Sequence, residues 1–420
     1  MRISRRTMLA GSAVAAALPL LGVAVPELRR TADGTPAARL AANAETAGTL
    51  SVSIQNNTLS DTVYAFVTGL SVSDGNALTL LQADGQTPYY PASPPAPGAA
   101  LAVDCAIPLG PSGGAPVTVT VPQLAGARIW FSIGTPLTFL LNPGPALVEP
   151  SVTNPSDPSI GIQWDFAEFT FNAAGLFANI SMVDFTCIPV GLALTDTAGG
   201  TQSAGGLAAG GLDTVCAGLA AQQSADGHPW TDLIVTANGA SLRVLSPQNG
   251  LVGDPGFLSG YYEDYVSAVW QKYASQPLTV DTQASYGALT GQVSGGQLIF
   301  PGAGSFAAPA TADIFSCSTG PFSTAGANGA ALAVIPRLAA AFNRSTLLTD
   351  ADQPDGETPA SYYANPVTNH YARIVHASLA GGLGYAFPYD DVTPDGGVNQ
   401  SGAVSSGSPA LLTVTLGAVH

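Results

Sequence analysis

Two carboxylic acids, Glu168 and Asp184, lie sixteen residues apart in a segment whose sequence predicts a single β-hairpin. Glu168 belongs to the stretch Trp164-Asp165-Phe166-Ala167-Glu168-Phe169-Thr170, and Asp184 belongs to Met182-Val183-Asp184-Phe185 on the predicted return strand. Hydrolysis of a glycosidic bond needs two facing carboxyl groups, because one must protonate the leaving oxygen while the other activates water or attacks the sugar. An aromatic hairpin with one acid on each strand is a candidate for that chemistry.

The alternation of side chains along a strand places Trp164, Phe166 and Glu168 on one face of this hairpin. A turn centred on residue 176 would pair Glu168 directly with Asp184. Direct cross-strand neighbours have Cβ atoms about 5 Å apart, and diagonal neighbours about 7–8 Å. Carboxyl groups about 5–5.5 Å apart suit a retaining glycosidase, and about 6.5–9.5 Å an inverting one. The sequence leaves the register open, so it leaves the stereochemistry open too.

The two acids also have a simpler interpretation as solvated residues on an exposed β face. The aromatic side chains beside Glu168 favour the catalytic interpretation. The rings of Trp164 and Phe166 predict a surface on which sugar rings stack, and they would remove water from the site, which raises the pKa of a carboxylic acid.

Residues 1–44 predict a twin-arginine-type export signal. Ser4-Arg5-Arg6-Thr7-Met8-Leu9 precedes an apolar run from Leu9 to Val25, and Ala42-Asn43-Ala44 is a small-residue cleavage site. The alternative is an uncleaved membrane anchor, for which the run is slightly short. We expect an exported protein, secreted or periplasmic, with no stable membrane insertion after removal of the signal.

The charge of the remaining chain excludes one class of partner. Residues 45–420 contain 6 basic and 26 acidic residues, a formal charge of −20. Phosphate backbones would repel such a protein, so we expect no binding to nucleic acid. A neutral polymer would meet no such repulsion.

The four cysteines, Cys105, Cys187, Cys216 and Cys317, predict two disulfides in an exported chain, with three possible pairings. Free buried thiols are the alternative. No Cys-x-x-Cys, His-Glu-x-x-His, Gly-x-Ser-x-Gly or phosphate-binding glycine-rich loop occurs, so we expect neither a metal nor a cofactor.

The order of predicted elements indicates two domains and a mainly β protein. Short strands with Gly and Pro turns fill residues 50–140, typical of a β-sandwich or barrel, while helices and strands alternate from about residue 197 to 380. The last segment, Leu411 to Leu416, again reads as a strand whose natural partner is the N-terminal part. We expect a β domain of residues 45–196 plus 381–420, with a mixed α/β domain of residues 197–380 inserted into it.

An ordered set of motifs resembles glycoside hydrolase family 64, the bacterial and fungal β-1,3-glucanases related to thaumatin-like proteins. The motifs run from about residue 48 to the C-terminus and are Trp164-Asp165-Phe166-x-Glu168-Phe169-Thr170, Val183-Asp184-Phe185-x-x-x-Pro189-x-Gly191, Arg243-Val244-Leu245-Ser246-Pro247, Tyr261-Tyr262-Glu263-Asp264-Tyr265 with Val269-Trp270, and Phe387-Pro388-Tyr389-Asp390-Asp391-Val392. Apart from the resemblance, Asp390-Asp391 has two open interpretations: it lines a groove or binds an ion, or it is a solvated turn.

The resemblance implies a thaumatin-like β domain, a wide groove beside the α/β domain, and endo-cleavage of linear β-1,3-glucan to short oligosaccharides with inversion. It assigns the general acid to Glu168 and the general base to Asp184. Thr170 and Asn172 match positions expected to contact sugar, and Phe177 stands where the family would have tryptophan. We expect a monomer.

Two alternatives to the enzyme remain open. A non-catalytic β-1,3-glucan-binding protein could use the same scaffold, since fold does not fix function. A structural surface protein would have no affinity for glucan.

Overall fold

The computed structural model describes residues 48–420, so the predicted export signal of residues 1–44 lies outside the described part of the chain. Within residues 48–420, no helix is both long and apolar enough to cross a membrane. The described chain is mainly β with few helices, as the sequence predicts.

Strands fill the first part of the described chain. They are β1 (Thr49–Asn56), β2 (Val63–Ser71), β3 (Ala77–Leu81), β4 (Pro88–Tyr89), β5 (Ala99–Ala100), β6 (Ile107–Pro108), β7 (Val117–Pro122), β8 (Leu124–Ile133), β9 (Leu140–Asn142), β10 (Ala146–Val148), β11 (Gln163–Asn172), β12 (Gly175–Ile180), β13 (Phe185–Thr186), β14 (Val190–Asp196) and β15 (Thr201–Ala204).

Helices and strands then alternate before two final strands. They are α1 (Gly211–Asp226), β16 (Ile234–Ala237), β17 (Ala240–Leu245), α2 (Pro247–Gly253), α3 (Glu263–Ser275), β18 (Leu278–Asp281), β19 (Ala288–Ser294), β20 (Gln297–Phe300), β21 (Gly304–Phe306), α4 (Thr311–Ser316), α5 (Gly329–Arg344), β22 (Asp352–Gln353), α6 (His370–Ser378), β23 (Ala403–Ser406) and β24 (Pro409–Leu416).

Two sheets form the β part of the molecule. One has the strand order β15-β14-β24-β1-β7, and the other has the order β23-β12-β11-β8-β2-β3-β4, with β6 paired to β2. The two sheets contact each other where β11 and β12 meet β14. Strand β24 pairs in parallel with β1, which confirms that the last segment returns to the N-terminal part.

Strand β1 shows why these residues form a half-buried strand. Leu50, Val52 and Ile54 are buried, and the residues between them are more exposed. This period of two matches the pleat of a strand, in which successive side chains point to opposite faces. The pattern is the one that the sequence predicts for this segment.

Two short strands pair with strands on the other side of the predicted domain boundary at residue 196. Strand β15 extends the five-stranded sheet to Ala204, whereas β13 pairs with β17 in a separate sheet of order β13-β17-β16. A further five-stranded sheet, β21-β20-β19-β18-β22, lies in the second part, and a small sheet, β10-β9-β5, accompanies the first.

The cysteine prediction is wrong, because all four thiols are free. Each lies in its own environment: the Cys187 thiol donates to the carbonyl of Leu242 at 3.1 Å, and Cys317 lies 3.3 Å from the amide of Asn343. Burial raises the pKa of Cys105 to about 11 and that of Cys187 to about 12. Both are therefore protonated, unreactive thiols at neutral pH.

Candidate active site

Glu168 lies in the middle of β11, with its side chain partly buried. The ladder to β8 places Arg128 opposite it, and the ladder to β12 places Asn179 opposite it on the other side. Strand β12 therefore presents Asn179 at the position that the predicted register gave to Asp184. Asp184 lies beyond the end of β12, so the direct pairing that a turn centred on residue 176 would give does not occur.

The physical reason is a tighter turn than the sequence predicts. Asn172 pairs with Gly175, so only two residues form the turn, and the Asn172 side chain accepts the N–H of Ala174 at 2.8 Å. Gly175 has a φ of 123°, and a β-carbon there would overlap the backbone of Ser406. Glycine alone fits this close approach of β23, and the two-residue turn sets the register.

Asp184 lies in a bend between Ser181 and β13 rather than on the hairpin. Its carbonyl accepts the N–H of Ser246 at 3.0 Å and the Nδ2 of Asn249 at 2.8 Å. Ser246 is the residue that caps the start of α2. The turn between β17 and α2 therefore fixes the backbone of Asp184.

Asp165 on β11 holds the segment that follows Asp184. Its Oδ2 accepts the backbone N–H groups of Cys187 and Ile188, both at 3.0 Å, and its Oδ1 accepts that of Phe166 at 2.8 Å. Burial raises the pKa of Asp165 to about 7, against the effect of these hydrogen bonds. Strand β11 thus carries Glu168 and also binds the backbone of the segment that follows Asp184.

Arg128 joins the acids into one group, called here the Arg128 cluster, which consists of Arg128, Glu149, Glu168 and Asp184. Arg128 Nη1 donates to Glu149 Oε2 at 2.8 Å, and Nε and Nη2 both donate to Glu168 Oε1 at 3.2 Å. Burial raises the pKa of Asp184, Arg128 opposes the rise, and the charge of Glu168 adds to it. Two predicted catalytic residues from separate segments therefore share one electrostatic environment.

The predicted sugar-contact residues lie near Glu168. Thr170 is on the same face of β11, directly opposite Phe177 on β12, and its hydroxyl accepts the N–H of Gly126 at 3.4 Å. The ring of Phe177 is 48% exposed, so it offers a free aromatic surface. Asn172 lies at the end of the strand, where its side-chain oxygen is engaged in the turn.

Trp164 lies on the same face of β11 but is only 2% exposed, so the prediction that it stacks on sugar is wrong. Its ring packs 5.7 Å from Trp130 and 4.6 Å from Phe185, and the guanidinium of Arg243 lies 5.4 Å above it. Phe166 is likewise buried. The alternation of β11 is as predicted, but β13 and β17 cover the end that bears Trp164.

A sequence profile of the glycoside hydrolase family 64 β-1,3-glucanases matches residues 48–416. The chain belongs to this family. It is 32% identical over 311 residues to a glucan endo-1,3-beta-glucosidase of Cellulosimicrobium cellulans and, to the same extent, to one of Arthrobacter sp. (strain YCWD3). The aligned region is 71% of this chain and 53% of each relative, so the chain spans about half the length of these curated relatives.

Solved structures of family 64 share the fold. A laminaripentaose-producing beta-1,3-glucanase in complex with laminaritetraose superposes with a TM-score of 0.78 at 34% identity, covering 89% of this chain and 99% of that one. A beta-1,3-glucanase domain from Clostridium beijerinckii superposes with a TM-score of 0.69 at 22% identity, covering 89% of this chain and 100% of that domain. The second likeness shows the fold alone.

Sequence reasoning missed three polar neighbours of Glu168 in this family 64 chain: Arg128, Glu149 and Asn179. Arg128 had a signal, because it is one of only six basic residues in residues 45–420 and lies in a predicted strand. Glu149 lies in a proline-rich connection, where no periodic pattern places a side chain. Asn179 was missed because the sequence leaves open which residue of the return strand lies opposite Glu168.

In the part of the chain that the structure describes, one group of carboxylates has ligand atoms close enough to hold a metal. It consists of Asp281, Asp355 and Asp395, whose oxygens lie within 4.8 Å of one another. None of these residues belongs to the Arg128 cluster. Clusters of exposed acids are common without an ion, and nothing else in the group points to one.

Proposed function

We propose that this family 64 chain is an exported, monomeric endo-β-1,3-glucanase that cleaves linear β-1,3-glucan to short oligosaccharides with inversion. The observation that carries the proposal is the Arg128 cluster, in which Glu168 and Asp184 share one partly exposed site beside Thr170 and the free ring of Phe177. Membership of the β-1,3-glucanase family and relatives named glucan endo-1,3-beta-glucosidase support the substrate.

The chemistry is a single displacement. Glu168 gives its proton to the glycosidic oxygen as the bond to the anomeric carbon breaks. Asp184 accepts a proton from the water that attacks the opposite side of the same carbon. Because water replaces the leaving sugar directly, a β-linkage yields an α-anomer.

The substrate would lie in a groove between a thaumatin-like β domain and the α/β domain. We place the first boundary after β15, at Ala204, because that strand belongs to the five-stranded sheet. Of the predicted segment 381–420, β23 and β24 belong to the β domain, whereas Asp390 bonds to Arg344 and His376 of the α/β part. Thr170, Asn172 and Phe177 would contact sugar beside the acids. An uncharged glucan suits a protein that carries such an excess of acidic residues.

Export would use the twin-arginine route, which the Arg5-Arg6 pair supports. Replacing Arg5→Lys together with Arg6→Lys should retain the full-length precursor inside the cell. Export at the wild-type rate in that variant would exclude the twin-arginine route and leave export by another one.

The test of the activity compares three proteins that lack residues 1–44: the wild type, Glu168→Gln and Glu263→Gln. The last makes the same chemical change at an exposed position in the first turn of α3 and is the matched control. Incubation with linear β-1,3-glucan, followed by chromatography, should give short oligosaccharides from the wild type and the control only.

Co-sedimentation with insoluble glucan separates the alternatives. Glu168→Gln should still bind the polymer. Binding by all three proteins without products from any of them would overturn the enzyme in favour of a glucan-binding protein. Neither binding nor products would overturn both.

A further inference from the structure

Arg128 donates both of its hydrogen bonds to Glu168 to the same carboxylate oxygen. Its Nε and Nη2 both donate to Oε1 at 3.2 Å, whereas Oε2 has a single long contact of 3.5 Å with Asn179 Nδ2. An arginine fork often binds both oxygens of a carboxylate at once. Here the fork leaves one oxygen nearly unengaged.

Two sets of contacts hold the guanidinium in this orientation. Its carbon lies 4.5 Å above the ring of Phe166 and 5.1 Å above that of Trp130, both buried. Its third nitrogen, Nη1, donates to Oε2 of Glu149 at 2.8 Å. The two rings and Glu149 together fix the plane in which Nε and Nη2 point at Oε1 of Glu168.

The asymmetry determines where a proton can sit. In a protonated carboxylic acid, the oxygen that bears hydrogen is a donor, and the other oxygen is the better acceptor. Oε1 already accepts two N–H groups, so the hydrogen belongs on Oε2. We propose that Arg128, held by Glu149, is a positioning residue that places the acid proton of Glu168 on Oε2, an inference that rests on the proposed glucanase function.

Glu149 has an electrostatic role as well. The charged groups that face Glu168 are Arg128 on β8, Glu149 after β10 and Asp184 before β13, while β12 presents the neutral Asn179. The negative charge of Glu149 offsets that of the guanidinium, so removal of Glu149 would leave an uncompensated positive charge beside Glu168.

Glu168 Oε2 loses its hydrogen to the glycosidic oxygen, and the electrons of the broken carbon–oxygen bond stay with that oxygen. Water forms the new bond to the anomeric carbon and loses one proton to Asp184. Glu168 is left as a carboxylate whose Oε1 remains bonded to Arg128.

A substrate whose leaving group needs no proton separates the acid role of Glu168 from the rest of the reaction. Fluoride departs without protonation, so a β-glycosyl fluoride of a laminari-oligosaccharide requires the base but not the acid. We would measure kcat and KM on glucan and on this fluoride for the wild type, Glu149→Gln, Arg128→Lys and the control Glu263→Gln. Arg128→Lys keeps the charge but loses the rigid fork.

We expect kcat on glucan to fall about 10-fold in Glu149→Gln and about 100-fold in Arg128→Lys, within the usual contribution of a general acid. On the fluoride, kcat should stay within about twofold, and KM on glucan should change little, because the interaction acts on the transition state. Two different variants keep the test valid if one of them misfolds, which circular dichroism would reveal.

Wild-type kcat on glucan in both folded variants would overturn the inference. Equal losses on glucan and on the fluoride would also overturn it, because that pattern indicates general damage to the site. A wild-type protein that cleaves neither substrate would instead overturn the proposed function, and the inference with it.

Discussion

Two arginine-centred clusters in this molecule use the same ionic chemistry in opposite surroundings. In the Arg128 cluster the side chains of Arg128 and Glu168 are 18% and 27% exposed. The second, the Arg344 cluster, contains Arg344, Glu357, His376 and Asp390, and its arginine and aspartate are 0% exposed. Each guanidinium carbon lies over an aromatic ring, at 4.5 Å from Phe166 and 4.3 Å from Tyr362 respectively.

Hydrogen bonding in the Arg344 cluster leaves no free oxygen on its central carboxylate. Asp390 accepts Arg344 Nη2 at 3.1 Å, His376 Nε2 at 2.8 Å and the N–H of Ala386 at 3.0 Å. His376 Nδ1 lies 2.7 Å from the carbonyl of Gly382, an acceptor, so both ring nitrogens donate and the imidazole is charged. Asp390 is thus neither a groove residue nor part of a solvated turn, the two interpretations that the sequence left open.

The difference separates a structural ion group from a candidate catalytic one. Asp390 is buried and fully bonded, so any change in its protonation costs folding free energy. Glu168 is partly exposed and keeps Oε2 nearly unengaged, so it can exchange a proton with a substrate at little structural cost. Burial and the count of free oxygens, rather than residue type, distinguish the two roles.

The largest expected effect is on catalysis in the Arg128 cluster. Glu168→Gln should lower kcat on glucan by about 10²–10⁴-fold, because the amide cannot donate the acid proton. Its free energy of unfolding should change by less than about 1 kcal/mol, since partly exposed ion pairs contribute little. Product assays and urea unfolding check the two quantities, and a full loss of folding with this variant would remove the contrast with Asp390.

The converse change is Asp390→Asn in the Arg344 cluster. It should lower the free energy of unfolding by about 3–5 kcal/mol, because it leaves buried positive charges without their partner. Activity per folded molecule should stay near that of the wild type. Asp391→Asn is the matched control, since Asp391 is partly exposed and its hydrogen bond from the hydroxyl of Tyr385, at 2.9 Å, should be worth about 1 kcal/mol. An equally mild effect at both positions would contradict a structural role for the cluster.

The Arg344 cluster should also make stability depend on pH. Burial alone would raise the pKa of Asp390, but His376 and Arg344 hold that pKa below its usual 3.8. Burial alone would lower the pKa of His376, but Asp390 raises it above its usual 6.5. Asp390 therefore stabilises the fold above about pH 4 and loses that effect as the pH falls through its lowered pKa. His376 stabilises it below about pH 6.5 and loses that effect as the pH rises through its raised pKa.

The variant His376→Gln tests this pH dependence of stability. The loss of unfolding free energy relative to the wild type should be larger at about pH 5 than at about pH 9, because the wild-type imidazolium is lost at the higher pH. Chemical unfolding at both pH values gives the difference. A loss that grows with pH would mean that His376 is neutral in the folded protein.

In the Arg128 cluster, pH should act on rate instead. Burial raises the pKa of Asp184 and Arg128 opposes the rise, so Arg128→Gln should raise that pKa further. The base must be ionised, and the acid limb of the kcat/KM profile should therefore move to higher pH. The pH–rate profile of this variant against the wild type shows the shift. An acid limb that stays in place would exclude Asp184 as the group that sets it.

The sequence predicted the local features of the site well. The alternation of β11 depends only on the pleat of a strand, so Glu168 and Thr170 share a face as expected. The return of the last strand to β1 also followed from its pattern. Arg128 interacts electrostatically with both acids, although Asp184 is not on the hairpin where the sequence predicted it.

What failed depends on contacts between distant parts of the chain. Gly175, at the end of the turn, packs against Ser406, a residue far along the chain that no local pattern reveals. Trp164 is buried because β13 and β17 cover it, and Glu149 reaches Arg128 from an irregular connection. An even number of cysteines suggested disulfides, but the thiols are packed apart in separate elements.

The most direct test of the paired roles of Glu168 and Asp184 is the anomeric form of the first product. Proton NMR during early hydrolysis of linear β-1,3-glucan should show the α-anomer before mutarotation, with wild-type protein and not with Glu168→Gln. A β-anomer as the first product would contradict the account, because Asp184 would then act as a nucleophile rather than as the base for water.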